Sequence, residues 1–439
     1  MACGLVSFVS LGPGDPALTA TRAAARLLAA DVVVREGDGA TADDLVAHAR
    51  AGRHVVRTAA GDALESPTIV AEVLAVEHAR VPFEIVPGIG ARSAAAAFAG
   101  VVGRATRARP QEVAMVVERE PAEAVVTIVV RAGEPSQQVI VTTAGEAVAR
   151  AARLDPMTDV IVAVGAPDDK LRWFERRPLF GKRVLVTRPR QQAQAMVDEL
   201  RDEGAWAMIA PSVVLEPPSD PAPLARAVGR LERGEFGWVA FTSANGVERT
   251  WDALASRGGD ARAFGRARLA AIGPATAAAL ERHGLRADVM GEEFRGEGLA
   301  ASMLAAMTAG PERVLLARAA RARDVLPDAL RRAGHEVEVV AAYETHPSPP
   351  DELDATVRDL RAGAVDAVTF TSSSTVDHLC DALGEHAAEL LARARVASIG
   401  PVTSDSARAR GVRVDVEARP FTVRGLVRAL ADSYREPVA

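Results

Sequence analysis

From residue 184 onward the chain repeats itself, and that repeat limits the fold more than any other feature. VLVTRPR at 184 returns as VLLARAA at 314, FTSANGV at 241 as FTSSSTV at 370, IGPATAAA at 272 as IGPVTSDS at 399, and EGL at 297 as RGL at 424. The offsets lie between 127 and 130 residues. An ordered series of motifs that returns once at a near-constant offset requires two similar lobes.

Around the motifs, short β-rich runs such as ADVVV, RVLVT, WVAFTS, LAAIG, RVLLA, VEVVAAYE, AVTFTS and VASIG alternate with longer alanine- and leucine-rich stretches of helical period. Strand alternating with helix means βαβ units and mostly parallel sheets. The expected fold is α/β: two Rossmann-like parallel-sheet lobes around a hinged cleft, one lobe inserted in the other, preceded by a smaller α/β domain. At 439 residues the chain is too long for a single core, and roughly 150 residues per domain gives about three. A composition break at RWFERRPLFGKR, residues 172–183, marks the main boundary, where aromatics and a proline precede a fresh strand. LEPPSDPAP (215–223) and THPSPP (345–350) break helix and strand alike and read as two linkers crossing between the lobes. Side by side, such linkers act as a hinge. The expected domains are 1–177, then 178–216 with 346–439 as one lobe, and 217–345 as the inserted lobe.

A net charge of -6 gives no basic footprint for nucleic acid or an acidic membrane, so an anionic ligand has to be held by local groups. No window reaches the ~18 apolar residues of a membrane span, and the opening MACGLVSFVSLGPGDP has no basic n-region. The expectation is a cytoplasmic protein with no nucleic-acid or membrane partner. Cys3 and Cys380 stand far apart without metal-ligand spacing, which excludes a disulfide framework and a zinc site. His378, Cys380 and His386 make a poor metal pattern, and no metal is expected.

In open parallel sheets, ligands lie outside the carboxyl ends of the strands, and every repeated motif falls at such an end. The first turn of a helix adds unpaired N–H groups and a partial positive charge, which suits carboxylates or phosphates. The two Gly-Pro-x-Thr motifs, Gly273 to Thr276 and Gly400 to Thr403, leave a strand on glycine and open a helix. Thr242, Ser243, Asn245, Thr371, Ser372 and Ser373 are placed to cap a helix or to bond a ligand oxygen. Arg188 and Arg318, just past equivalent strands, bring forked donors suited to a carboxylate. Any one serine or threonine is equally well explained as a helix cap worth ~1 kcal/mol. The set, appearing twice at matched places, is better explained by a shared binding cleft.

The ordered series VLVTRP, FTSANGV, IGPAT, GEGL, LLARA, AAYET, FTSSSTV, IGPVT and GLV resembles uroporphyrinogen-III synthase over 183–430. The resemblance implies a two-lobed fold with an inserted lobe and a linear tetrapyrrole substrate, hydroxymethylbilane. It implies a cyclisation in which the terminal hydroxyl leaves as water and the last ring closes inverted through a spiro intermediate, without metal or organic cofactor. It also implies that Tyr343, in AAYET, assists departure of the hydroxyl, since a phenol with an ordinary pKa of about 10 stays protonated at neutral pH. Two lobes around a polar cleft would also describe a non-enzymatic tetrapyrrole-binding sensor. No basic helix-turn-helix pattern of a sensor's output segment is visible.

Upstream, VSLGPGDPALTATRAAARLLAADVVV and VPFEIVPGIGARSAAAAFAG resemble the tetrapyrrole methylases, which transfer methyl groups from S-adenosylmethionine to uroporphyrinogen-III. By that resemblance Gly12, Gly14, Asp15, Gly61 and Asp62 are remnants of a cofactor site. The pattern departs from the family's in several places. Arg35 and Glu36 stand where the family has an aspartate, the loop Ala60-Gly61-Asp62-Ala63 replaces Gly-Gly-Asp-Pro, and a Thr-His-Arg stretch is missing around Gly103 to Arg107. The stretch from there to Trp173 is also short. The expectation is a degenerate domain kept as a docking or homodimer surface. The rival is a bifunctional C-methyltransferase/synthase that uses S-adenosylmethionine.

Overall fold

A computed structural model describes residues 3–36, 38–291, 295–307 and 310–435. The protein divides into two compact units, Met1–Lys182 with Leu200–Trp206, and Arg183–Glu199 with Ala207–Ala439. The division falls at the fresh strand after RWFERRPLFGK, a few residues beyond the expected limit at 177.

In the first unit, β1 (Val6–Ser10), β2 (Val32–Val34), β3 (Val55–Ala59) and β4 (Phe83–Val86) form a parallel sheet in the order β2-β3-β1-β4. β1 and β3 are buried at every residue, as central parallel strands covered on both faces must be. A second sheet, β5 (Ala105–Ala108), β6 (Val125–Val130), β7 (Gln138–Thr143) and β8 (Val160–Val164), runs β5-β8-β6-β7 and is antiparallel throughout. It departs from the parallel pattern because the short turn between β6 and β7 holds no crossover helix.

In the second unit, β9 (Arg183–Val186) and β10 (Trp206–Ile209) belong with β17 (Ala367–Phe370), β18 (Arg395–Ser398) and β19 (Val416–Glu417) to a five-stranded sheet ordered β10-β9-β17-β18-β19. β11 (Val213–Glu216), β12 (Trp238–Phe241), β13 (Arg268–Ala271), β14 (Val289–Met290), β15 (Arg313–Ala319) and β16 (Glu336–Pro347) form a six-stranded sheet ordered β11-β16-β15-β12-β13-β14. One sheet is thus built from both ends of the region and the other from its middle, the arrangement of an inserted lobe.

The crossing differs from two proline linkers. Residues 213–216 are strand and pair antiparallel with the end of β16, Val213 opposite Pro347 and Glu216 opposite Glu344. They join the inserted lobe's sheet, so the chain changes lobes before Val213 and not after 216. Pro347 is tolerated because it sits at the last pair of the ribbon, and Pro217 and Pro218 end β11. Ser348 N–H donates to the Ser212 carbonyl at 3.1 Å, and Ser212 Oγ donates to the Thr375 carbonyl at 3.0 Å, which ties the ribbon to the first lobe.

Alternation sets two cores on the faces of the six-stranded sheet. Val239, Phe241, Leu315, Ala317, Val340 and Ala342 pack on one side and Trp238, Ala240, Val314 and Leu316 on the other, as a period of two requires. Tyr343 breaks the alternation. It follows Ala342 directly, yet lies in the same core. The register with β15 shifts there, with Arg318 opposite Ala341 but Ala319 opposite Tyr343. A bulge adds one residue and turns the next side chain to the other face.

Candidate functional site

The repeated serine and Gly-Pro-x-Thr motifs lie where a strand ends and a helix begins. Ser243 and Ser372, extended at φ -163° and -161°, cap the helices Ala244–Ala255 and Ser373–Leu383. Ser243 Oγ accepts the Gly246 N–H at 3.0 Å, and Ser372 Oγ accepts the Thr375 N–H at 3.3 Å. Gly273 and Gly400 are the extended caps of Pro274–Arg282 and Pro401–Ala409, with proline in the first turn of each.

The two lobes bring these ends together. A cavity of about 220 Å³ is lined by Gly273 and Thr276 from one lobe and by Gly400 and Thr403 from the other, with Ile272, Ile399 and Arg295. Nearby on the chain, Asn245 Oδ1 accepts a hydrogen bond from Gln192 Nε2 on the helix that follows β9, a direct contact between the lobes. A second cavity of about 210 Å³ shares Ile272 with the first and is lined by Thr242, Glu297, Arg318, Arg323 and Tyr343. Tyr343 is 7% exposed, and its hydroxyl lies 3.0 Å from Ser243 Oγ.

The arginines divide differently from their sequence symmetry. Arg318 is 8% exposed; its guanidinium donates to the Arg323 carbonyl at 2.7 Å and pairs with Asp324. Arg188 has no hydrogen bond or counter-ion among the described residues, and burial pulls its guanidinium below the usual pKa. Of the pair, Arg188 is the one without a partner among the described residues. Among the serines and threonines, Ser373 Oγ donates weakly to the Val402 carbonyl at 3.4 Å, and Thr371 has no side-chain partner among the described residues. Thr276 and Thr403 are buried in their first helical turns.

Arg295 was not anticipated. It occupies the cap position of Gly296–Ala306 without capping it, whereas Thr422, 127 residues on, caps Val423–Tyr434 through the Gly425 N–H. An arginine where the repeat calls for a cap is the signal that would have found it.

In the first unit a cavity of about 330 Å³ is lined by Gly14, Gly61, Arg107, Asp159 and residues of the antiparallel sheet. Its glycine loops are occupied with each other. Gly12 N–H donates to the Gly61 carbonyl at 3.2 Å and Gly61 N–H to the Gly12 carbonyl at 3.1 Å. Asp15 caps the turn at Pro16 by accepting Ala17 N–H at 2.9 Å, and Asp62 accepts Leu64 N–H at 2.9 Å and Gly88 N–H at 3.1 Å. A Cβ at Gly61 would meet Arg107 Nη1 at 2.6 Å, and that guanidinium is paired to Asp159 at 2.6 Å. The space that glycine opens beside the loop is filled by a tethered cation.

The family model described as uroporphyrinogen-III synthase HemD matches residues 194–428, more than half of the chain. The chain belongs to the uroporphyrinogen-III synthase family. Synthases of this kind are cyclising lyases, and the two lobes are the synthase region. A porphyrin biosynthesis protein HemD of Ruminiclostridium josui is 26% identical over 98% of this chain and 98% of its own length. A uroporphyrinogen-III synthase of Synechococcus elongatus is 32% identical and covers 59% of this chain and 98% of its own. A crystal structure of a Thermus thermophilus uroporphyrinogen III synthase aligns with TM-score 0.43 at 21% identity, covering 58% of this chain and 100% of that one. A model for tetrapyrrole (corrin/porphyrin) methylases matches residues 35–107, so a methylase-like domain precedes the synthase region. No helix among the described residues is long and apolar enough to cross a membrane, and no group of three or more His, Cys, Asp or Glu among them could hold a metal ion.

Proposed function

We propose that the gap between the synthase lobes holds hydroxymethylbilane by its carboxylates while Tyr343 donates its phenolic proton to the departing hydroxyl. The observation that carries this proposal is the convergence of both Gly-Pro-x-Thr motifs on one cavity that shares a wall with the cavity of Tyr343. Proton transfer to the hydroxyl oxygen lets the C–O bond break, water leave and an azafulvene cation form. Attack by the substituted carbon of the far ring and collapse of the spiro intermediate then close the macrocycle with that ring inverted. Holding both ends of a flexible chain near attack distance supplies most of the selectivity, an entropic effect worth several kcal/mol. Arg188 and Arg295 supply positive charge, and the helix starts supply N–H donors for the carboxylates.

No cofactor enters these steps. S-adenosylmethionine, implied by the methylase-like domain, does not fit the residues present. Its Gly12 and Gly61 N–H groups bond each other, and the Arg107 guanidinium, paired to Asp159, takes the space over Gly61. The domain is therefore read as a non-methylating surface for docking or homodimer formation. The free thiols of Cys3 and Cys380 support a reducing, cytoplasmic setting.

The test is turnover of enzymatically generated hydroxymethylbilane with analysis of the uroporphyrinogen isomer. Tyr343→Phe should lower type III formation about a hundredfold, the scale of a lost general acid, while melting like the wild type. Unchanged turnover would remove Tyr343 from the mechanism. Titration of the full chain with S-adenosylmethionine should give no binding heat, and tight binding would restore the bifunctional alternative.

A further inference from the structure

We infer that Ser243 is a positioning residue for Tyr343, its hydroxyl supplying the hydrogen bond that the phenol oxygen requires as it gives up its proton. The inference rests on the role of Tyr343 proposed above and assigns Ser243 away from substrate binding. The two oxygens are 3.0 Å apart. Ser243 Oγ also accepts the Gly246 N–H at 3.0 Å, which commits one lone pair to the helix cap and leaves the hydroxyl proton and one lone pair.

The pair can be arranged in two ways. If Tyr343 donates to Ser243, the phenolic proton is spent inside the pair, and the serine proton has no acceptor among the described residues. If Ser243 donates to Tyr343, the proton left over is the phenol's, on a residue that lines the cavity with Thr242 and Arg318. Only the second arrangement offers an acidic proton to a leaving hydroxyl. As that proton moves to the hydroxyl oxygen, the C–O bond breaks and water departs. The electron pair of the phenolic O–H bond stays on Tyr343 as phenolate, and the serine O–H already points at it. The hydrogen bond becomes charge-assisted at the moment the charge develops. The proton released when the inverted pyrrole regains aromaticity restores the phenol.

The sister lobe shows what is specific here. Ser372, the repeat equivalent of Ser243, also caps its helix, but its Oγ meets Ser374 Oγ at 3.0 Å and no phenol. The serine cap is common to both lobes. The phenol, turned onto the serine by the β16 bulge, belongs to the inserted lobe alone.

The test is a double-mutant cycle in the full chain, with kcat and KM for type III uroporphyrinogen and a thermal melt for each variant. Ser243→Gly removes the hydroxyl at little cost to the helix cap. It should lower kcat about tenfold to hundredfold with KM little changed, and Ser243→Thr, which keeps the hydroxyl, should retain most of the activity. In a Tyr343→Phe background, Ser243→Gly should cost less than about twofold more, since a residue that acts through another loses its effect once the other is gone. The inference is overturned if Ser243→Gly costs the same factor in both backgrounds, if it raises KM alone, or if Ser243→Thr is as impaired as Ser243→Gly. A Tyr343→Phe enzyme with full activity would instead sink the role of the tyrosine itself, a separate and recognisable outcome.

Discussion

Gly246 is the position where one added methyl group should disturb the site most. It lies in the first turn of Ala244–Ala255, and a Cβ there would sit 2.7 Å from the Ala317 carbonyl oxygen of β15. The neighbour is backbone in the middle of a sheet, so the helix start has to move by roughly 0.5 Å or more, a gap that forfeits a quarter to a half of each affected contact. Overpacking of this kind costs about 1–3 kcal/mol. Replacing glycine with alanine in a helix returns at most ~1 kcal/mol, so Gly246→Ala should destabilise by about 1–2 kcal/mol. The same shift carries Ser243 away from Tyr343, stretching a 3.0 Å hydrogen bond toward its limit, and misplacement on that scale should slow type III formation about tenfold or more. Gly229 is the control: it lies within Ala222–Glu232, and its added Cβ would meet only the side-chain ends of Arg257, at 3.3 Å, and Arg233, at 3.7 Å. Gly229→Ala should be neutral or stabilising by up to ~1 kcal/mol. Urea midpoints and kcat measured on both variants decide the matter. A Gly246→Ala enzyme that is as stable and as active as wild type would refute the close approach of helix and strand on which the serine–tyrosine geometry depends.

Two further predictions concern the methylase-like unit. Arg57 and Glu72, both buried, form a two-fold ion pair at 2.7 and 2.8 Å, so Glu72→Gln should leave a buried cation uncompensated and lower the stability of that unit by about 3–5 kcal/mol in chemical denaturation; a change below ~1 kcal/mol would show that the pair carries no such weight. Burial alone would raise the Glu84 carboxyl, but hydrogen bonds from Arg26, Arg22 and Ser7 outweigh it and hold it at about 2. A depressed pKa means the unfolded chain binds more protons, so this stabilisation is complete above about 4.5 and is lost as pH falls toward about 2. Glu84→Gln should flatten the acid slope of the melting temperature, and an unchanged slope would count against the cluster.

The sheets were readable because their determinants are local. WVAFTS, LAAIG and AVTFTS carry strand composition and end on glycine or hydroxyl residues that start helices, and each closes a strand here. The inserted lobe followed from where prolines interrupt the pattern. What escaped was set by pairing between distant segments. Leu215 and Glu216 read as linker beside two prolines, yet β16 supplies a hydrogen-bonding edge that makes them strand. Arg318 read as a twin of Arg188, but Asp324, in the loop that follows, neutralises it. The bulge that turns Tyr343 toward Ser243 depends on the register of β15 against β16, which neither strand encodes alone.

The failures of symmetry point to how the two lobes share the work. Duplication gave each lobe the same equipment, a capping serine, a Gly-Pro-x-Thr helix start and an arginine at the end of an equivalent strand. Equal equipment would grip a polyanion equally at both ends and give no reason for one end to react. In the first lobe the arginine has no counter-ion among the described residues and is half-buried, a cation whose burial a ligand carboxylate would compensate. In the inserted lobe the equivalent arginine is satisfied within the protein, and the distinguishing group is a phenol hydrogen-bonded to the cap. Under the proposed reaction, the first lobe is the one suited to hold the end that attacks, and the inserted lobe the one to receive the end that loses its hydroxyl. On that proposal, two arrangements of one motif set would tell the ends of a near-repetitive substrate apart, because holding depends on an uncompensated charge and ionisation on an available proton.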